Sequence, residues 1–135
     1  MICLECGNIM KTSDDVIEYK VRGEVFKIQG IPHSICNSCG EVDIGLESAA
    51  ALSDQANELY RKKHGLLTPV EIRQIRERLG VTQQQFERII GAAKTTLSRW
   101  ESGSIMQPCV ADTLLRVIRD HPLIFTNLKQ EQEVI

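Results

Sequence analysis

The spacing of apolar residues changes period once along the chain. Asp15 to Val21 alternates, with Ile17, Tyr19 and Val21 on one face and Glu18 and Lys20 on the other, which predicts a strand. Arg22-Gly23-Glu24 can turn, and Val25 to Ile28 returns as a second strand of a hairpin. A third extended piece is expected over Ile31 to Ile35, with Pro32 confining it to a sheet edge. From Leu46 to Lys63 the period becomes helical. Leu46, Ala49, Leu52, Ala56, Leu59 and the stem of Lys63 share one stripe. Arg61, Lys62 and Lys63 read as a solvated helix end that offsets the macrodipole, and Gly65–Leu67 as a hinge.

Beyond residue 66 the pattern is a run of short helices. Thr68-Pro69-Val70-Glu71 places a threonine cap, a proline at the first helical position and a glutamate three residues after the cap. That helix is predicted to stop at Gly80. Thr82-Gln83-Gln84-Gln85 repeats the capping box and opens a helix to Ile90. A third helix is expected to start at Lys94 or Thr95 and end near Glu101-Ser102-Gly103. A fourth opens at Pro108 and reaches Arg119, and a last short one begins at Pro122, with a frayed tail from Lys129. The fold class is therefore α+β. A small β-rich domain with one helix spans 1–65, and an all-α helix-turn-helix domain spans 66–135.

Four of the five cysteines fall within the first 40 residues, as Cys3-Leu4-Glu5-Cys6-Gly7 and Cys36-Asn37-Ser38-Cys39-Gly40. Two residues between thiols let one turn present both sulfurs to a single ion. The following glycine permits the positive φ that aims backbone N–H groups at those sulfurs. Two such knuckles, Cys3, Cys6, Cys36 and Cys39, supply a closed tetrahedral site, which is structural because no coordination position stays open. Zinc is the choice, though the knuckle geometry suits iron as well. A redox pair or a disulfide cluster fits the two matched pairs less well. With no basic-then-apolar leader, secretion is not expected, and the cysteines are placed in a reducing cytoplasm. No apolar run approaches a membrane span.

The fifth cysteine, Cys109, is expected to be a small buried apolar group. His33 reads as a partly exposed strand residue, and His64 and His121 as helix-end residues. No set of residues suggests catalysis, so the chain is not expected to be an enzyme.

The 135-residue chain carries a net charge of −2, which exerts no bulk pull on nucleic acid. Residues 1–65 hold 7 Lys/Arg against 10 Asp/Glu, leaving −3, and residues 66–135 hold 9 against 8, leaving +1. Four thiolates on one dication take the first half to about −5. Any contact with nucleic acid must then rest on local placement. Ile72, Ile75, Leu79, Phe86, Ile89, Ile90, Leu97 and Trp100 point inward at helical spacing, and Glu101 is expected to pair with Arg76. Lys94, Thr95, Thr96, Ser98 and Arg99 are left outward on the third helix. A recognition helix enters the major groove N-terminus first, so Thr95, Thr96 and Arg99 can reach base edges, Arg99 as a bidentate partner for guanine. Lys94 and Gln83 are placed as phosphate contacts. One such helix reads few bases, which points to a dimer.

This order of parts resembles the MqsA (YgiT-type) antitoxin family. The resemblance rests on the two CxxCG knuckles, Arg22-Gly23, Gly30-Ile31, Leu97-Ser98-Arg99-Trp100-Glu101-x-Gly103, Gln107-Pro108, Leu114-Leu115-Arg116-Val117 and His121-Pro122. It implies one structural zinc ion on Cys3, Cys6, Cys36 and Cys39. It implies a zinc domain that neutralises a toxin, commonly an mRNA-cleaving ribonuclease. It also implies a C-terminal domain that dimerises and represses its own operon on a palindromic operator, with Arg99 reading bases. A family position often held by Asn is Thr95 here, which removes a bidentate adenine contact and implies a different operator. The alternatives are a solitary zinc-containing transcriptional regulator and a regulator that releases zinc on thiol oxidation.

Overall fold

In a computed structural model, residues 1–133 are described, and the chain separates into two compact units, Met1–Lys63 and His64–Ile135. The first holds β1 (Lys11–Ser13), β2 (Ile17–Val21), β3 (Glu24–Ile28), β4 (His33–Ile35), β5 (Val42–Asp43) and nearly all of α1 (Leu46–His64). The second holds α2 (Pro69–Leu79), α3 (Gln83–Ile90), α4 (Thr96–Ser102), α5 (Cys109–Asp120) and α6 (Pro122–Glu133).

The hairpin forms as its alternation predicts. β2 and β3 pair antiparallel with Ile17 opposite Ile28, Tyr19 opposite Phe26 and Val21 opposite Glu24. Arg22 at φ 50° and Gly23 at φ 85° make the two-residue turn, and two successive positive φ values match the right-handed twist of the strands. Phe26 meets Tyr60 of α1 edge to face at 6.2 Å. A second, three-stranded sheet has the order β1-β4-β5. β4 is its central strand, not an edge. Pro32 precedes the strand, so it removes no N–H from either ladder.

The buried stripe of α1 also differs from the expected one. Leu52, Ala56 and Tyr60 are buried in an i, i+4 row, with Arg61 beside them, whereas Leu46 is 92% and Leu59 43% exposed. The row follows the contact with the hairpin at Phe26. Arg61 is thus not part of a solvated end. Lys62 and Lys63 are exposed, and Lys63 reaches Glu24 at 3.4 Å.

Both capping boxes of the second unit form. Thr68 Oγ1 accepts from the Glu71 N–H at 3.2 Å, and the Thr68 N–H donates to Glu71 Oε1 at 3.0 Å. Thr82 and Gln85 do the same at 3.1 and 2.9 Å. Each such cap stabilises its helix by about 1 kcal/mol. The inward residues named from spacing all join one core around Phe86, Leu97, Leu115 and Ile118, with Leu79 and Ile90 at its margin.

Leu67 lies in that core and is no hinge. Its N–H donates to Asp112 Oδ1 at 2.8 Å, and its carbonyl accepts from Gln107 Nε2 at 2.8 Å. The fully buried Asp112 is in turn held by Arg116 Nε at 2.8 Å. The C-terminal segment is helical through Lys129 to Glu133, because Gln132 Nε2 donates to the carbonyls of Arg88 and Ile89 at 2.8 and 2.9 Å. Among the described residues no helix is long and apolar enough to cross a membrane.

Candidate metal centre and nucleic-acid interface

The two knuckles fold alike. Gly7 N–H donates to the Cys3 carbonyl at 2.9 Å, and Gly40 N–H to the Cys36 carbonyl at 2.8 Å. Both glycines have positive φ, 79° and 80°. The N–H of each first cysteine is held in turn, Cys3 by the Asn8 carbonyl at 2.7 Å and Cys36 by the Glu41 carbonyl at 2.9 Å. The knuckles meet crosswise, with Cys3 Sγ 3.6 Å from Cys39 Sγ and Cys6 Sγ 3.4 Å from Cys36 Sγ.

All four sulfurs lie within 4.8 Å of one another. Four thiolates on one zinc at its usual bond length sit about 3.8 Å apart, so the donor set fits that ion. Cys3 and Cys36 are buried with Met10, while Cys6 and Cys39 face solvent. The Asn8 N–H, with the Cys36 thiol and the Asn8 amide, pulls Cys6 down to about 6. The Glu41 N–H pulls on Cys39 too, but partial desolvation against the cluster and the three neighbouring sulfurs outweigh it and push that thiol up to about 12. Four sulfurs cannot all ionise in one place without a positive charge among them.

His33 takes no part in this group. It is buried, not partly exposed, because its Nδ1 engages the Ile31 carbonyl at 2.7 Å. Cys109 is also not where its composition suggests. It is exposed at the start of α5, since the buried residues of that helix are Asp112, Leu115 and Ile118.

In the second unit α3, a short turn and α4 form the helix-turn-helix. α4 starts at Thr96, later than expected, because Thr95 sits in the left-handed region at φ 69° and makes no side-chain cap. A β-branched residue is strained there. The Thr96 N–H instead donates to Glu87 Oε2 of α3 at 3.0 Å, with the Ala93 carbonyl as a longer second acceptor at 3.3 Å. At the other end of α4, Glu101 takes two bonds from Arg76, at 2.8 and 3.0 Å, and a third from Gln83 Nε2 at 3.2 Å. Arg76 also donates to the Val81 carbonyl at 3.0 Å. Trp100 is buried in the core.

Lys94, Thr95 and Arg99 are exposed and Thr96 and Ser98 half-buried; Lys94 and Thr95 lie in the turn before α4, Thr96 and Ser98 in its first half and Arg99 in its last turn. Gln83 stands apart from them in its hydrogen bonding, with its amide committed to Glu101. Two further groups carry the geometry yet were given no role from sequence, Glu87 and Asp112, the latter bonded by Gln107 of the Gln107-Pro108 motif at 3.1 Å. For Glu87 a signal existed: it lies beside Phe86 and three residues before Ile90, a carboxylate at the margin of an apolar arc.

A β unit bearing four clustered cysteines, followed by a helix-turn-helix unit, defines the class of protein. Comparison with known proteins makes this specific. The chain belongs to the MqsA family, described as the antitoxin component of a bacterial toxin-antitoxin system, which it matches over residues 1–129. It is 26% identical over 114 residues to antitoxin MqsA of Escherichia coli K12, covering 84% of this chain and 87% of that protein. It is 30% identical over 64 residues to antitoxin HigA-2 of Vibrio cholerae, covering 47% of this chain and 62% of that one.

Proposed function

We propose that the chain neutralises a ribonuclease toxin through its cysteine-bearing unit and represses its own operon through a homodimer of its helical unit. The observation that carries this reading is the family match, which runs through both the cysteine knuckles and α4. Cys3, Cys6, Cys36 and Cys39 hold one zinc ion. Its chemistry there is charge neutralisation and cross-linking of the fold.

The first knuckle supports a role in grip. Ile2 and Ile9 pair across a short antiparallel bridge, and both are bare, 64% and 76% exposed, as is Leu4 at 96%. Three large apolar residues displayed on a clamped ribbon suit a protein partner. The acidic balance of this half suits one whose RNA-binding face is basic. Leu4→Ser with Ile9→Ser is expected to weaken toxin binding by about 2–4 kcal/mol. Calorimetry against the product of the adjacent gene reads this, with zinc content unchanged. Undiminished binding would place the contact elsewhere.

On the helical unit Val110, Leu114 and Val117 repeat along α5, with Val110 83% and Val117 37% exposed and Leu123 of α6 76% exposed. This apolar stripe is the proposed dimer face. Thr95, Thr96, Ser98 and Arg99 read bases, and Lys94 and Gln83 hold phosphates. Arg99→Ala is expected to cost about 1–3 kcal/mol on the operator and to relax its selectivity. Lys94→Ala is expected to weaken all duplexes alike and flatten their salt dependence. Gel shifts at several salt concentrations separate the two. The whole reading is tested by co-purification with the adjacent gene product and assay of its ribonuclease activity. If the two do not associate, a solitary regulator is the better description.

A further inference from the structure

We infer that Glu87 is a positioning residue for α4, supplying from α3 the cap that Thr95 does not. The inference rests on the DNA-binding reading for its functional meaning, but its geometry stands alone. α4 has seven residues, fewer than two turns. A helix that short has no stability of its own, so its pose comes from what holds it. Leu97 and Trp100 anchor its inner face in the core. Arg76 and Gln83 grip Glu101 at its end.

The start of α4 lacks the usual device. A threonine cap works from extended backbone, as Thr68 and Thr82 do at ψ 160° and 166°. Thr95, at φ 69° and ψ 0°, makes no such bond. Glu87 reaches across the turn in its place, with Oε2 3.0 Å from the Thr96 N–H. Burying a carboxylate to 5% exposure is costly unless it is bonded. The bond it makes falls on the first turn of the helix that carries the outward set, beside a hollow that Lys94 and Thr95 also line. Glu87 touches no base in this scheme. It decides where Thr95, Thr96 and Arg99 stand relative to α3.

Glu87→Ala and Glu87→Gln, made in the full-length zinc-loaded chain, test this. The probe is a duplex spanning the region upstream of the chain's own gene. Glu87→Ala is expected to lose about tenfold in affinity, the effect of a missing cap. Glu87→Gln keeps an acceptor oxygen at the same reach and is expected to stay within about threefold of the parent. Hydrogen exchange of the Thr96 amide is the second readout, faster in Glu87→Ala, where only the longer bond to the Ala93 carbonyl remains, and restored in Glu87→Gln. Equal loss in both variants, or a Thr96 amide as protected in Glu87→Ala as in the parent, overturns the inference. If the parent chain binds no upstream duplex, the DNA-binding reading fails, while the Thr96 amide still decides the role of Glu87.

Discussion

Replacing Cys36 by serine is expected to unfold the Met1–Lys63 unit while leaving the helical unit folded. The reason is the size of what remains without a metal. The strands of that unit are two to five residues long, and the buried cluster beneath the knuckles holds Cys3, Met10 and Cys36. The piece of about 40 residues that carries both knuckles has too little apolar burial to offset its chain entropy unaided. A structural zinc on the four cysteines, as proposed, would contribute about 10–16 kcal/mol of apparent binding free energy as folding free energy. Serine offers a neutral hydroxyl where the site needs a thiolate, and it does so at the most buried of the four positions. Heteronuclear spectra of the full chain read the outcome directly. Resonances from Met1–Lys63 should collapse toward random-coil shifts while those of α2 to α6 stay dispersed, and a chelator added to the parent protein should reproduce the pattern. Dispersed signals from the cysteine unit in the variant would show that the metal does not hold it together.

Glu101→Ala is expected to cost about 3–5 kcal/mol, the range for stranding a buried charge. Arg76 has 14% and Glu101 5% of its side chain exposed, so neither partner can turn to water once the other is gone. The alanine leaves Arg76 with the Val81 carbonyl and Gln83 without its acceptor. For a domain of this size the loss lowers the Tm of the helical unit by about 12 °C or more. The double variant Arg76→Met with Glu101→Leu is expected to recover most of that loss, because the cost lies in the unpaired charge and not in the absent pair. A double variant as unstable as the single one would mean that the pair itself supplies the stability.

Much of this was legible in the sequence because it depends on local chemistry. CxxCG spacing dictates how two sulfurs can face one ion, and the capping boxes at Thr68 and Thr82 need only four consecutive residues. The hairpin announced itself by alternation. What was not legible depends on partners distant in the chain. β1 is Lys11-Thr12-Ser13, with no apolar period, and becomes a strand only because β4 lies beside it. The stripe of α1 follows the contact between Tyr60 and Phe26, which helical spacing alone does not select. Leu67 reads as part of a flexible joint until Asp112, 45 residues on, takes its N–H. The left-handed Thr95 was hidden for another reason. Threonine disfavours that conformation, so propensity argued for an earlier helix start, and the bond from the Thr96 N–H to the Glu87 carboxylate overrode it.

The two bonds from Gln132 to the carbonyls that end α3 bear on how this protein can be handled. The last turn looks expendable, being polar and surface-facing, and is the kind of segment trimmed to help crystallisation or replaced by a fused reporter. Cutting there strips the final carbonyls of α3 of their donor, one turn from the bend that leads into the proposed DNA-reading face. A shortened version with altered operator binding would then report damage to that bend, not a lost contact with the duplex.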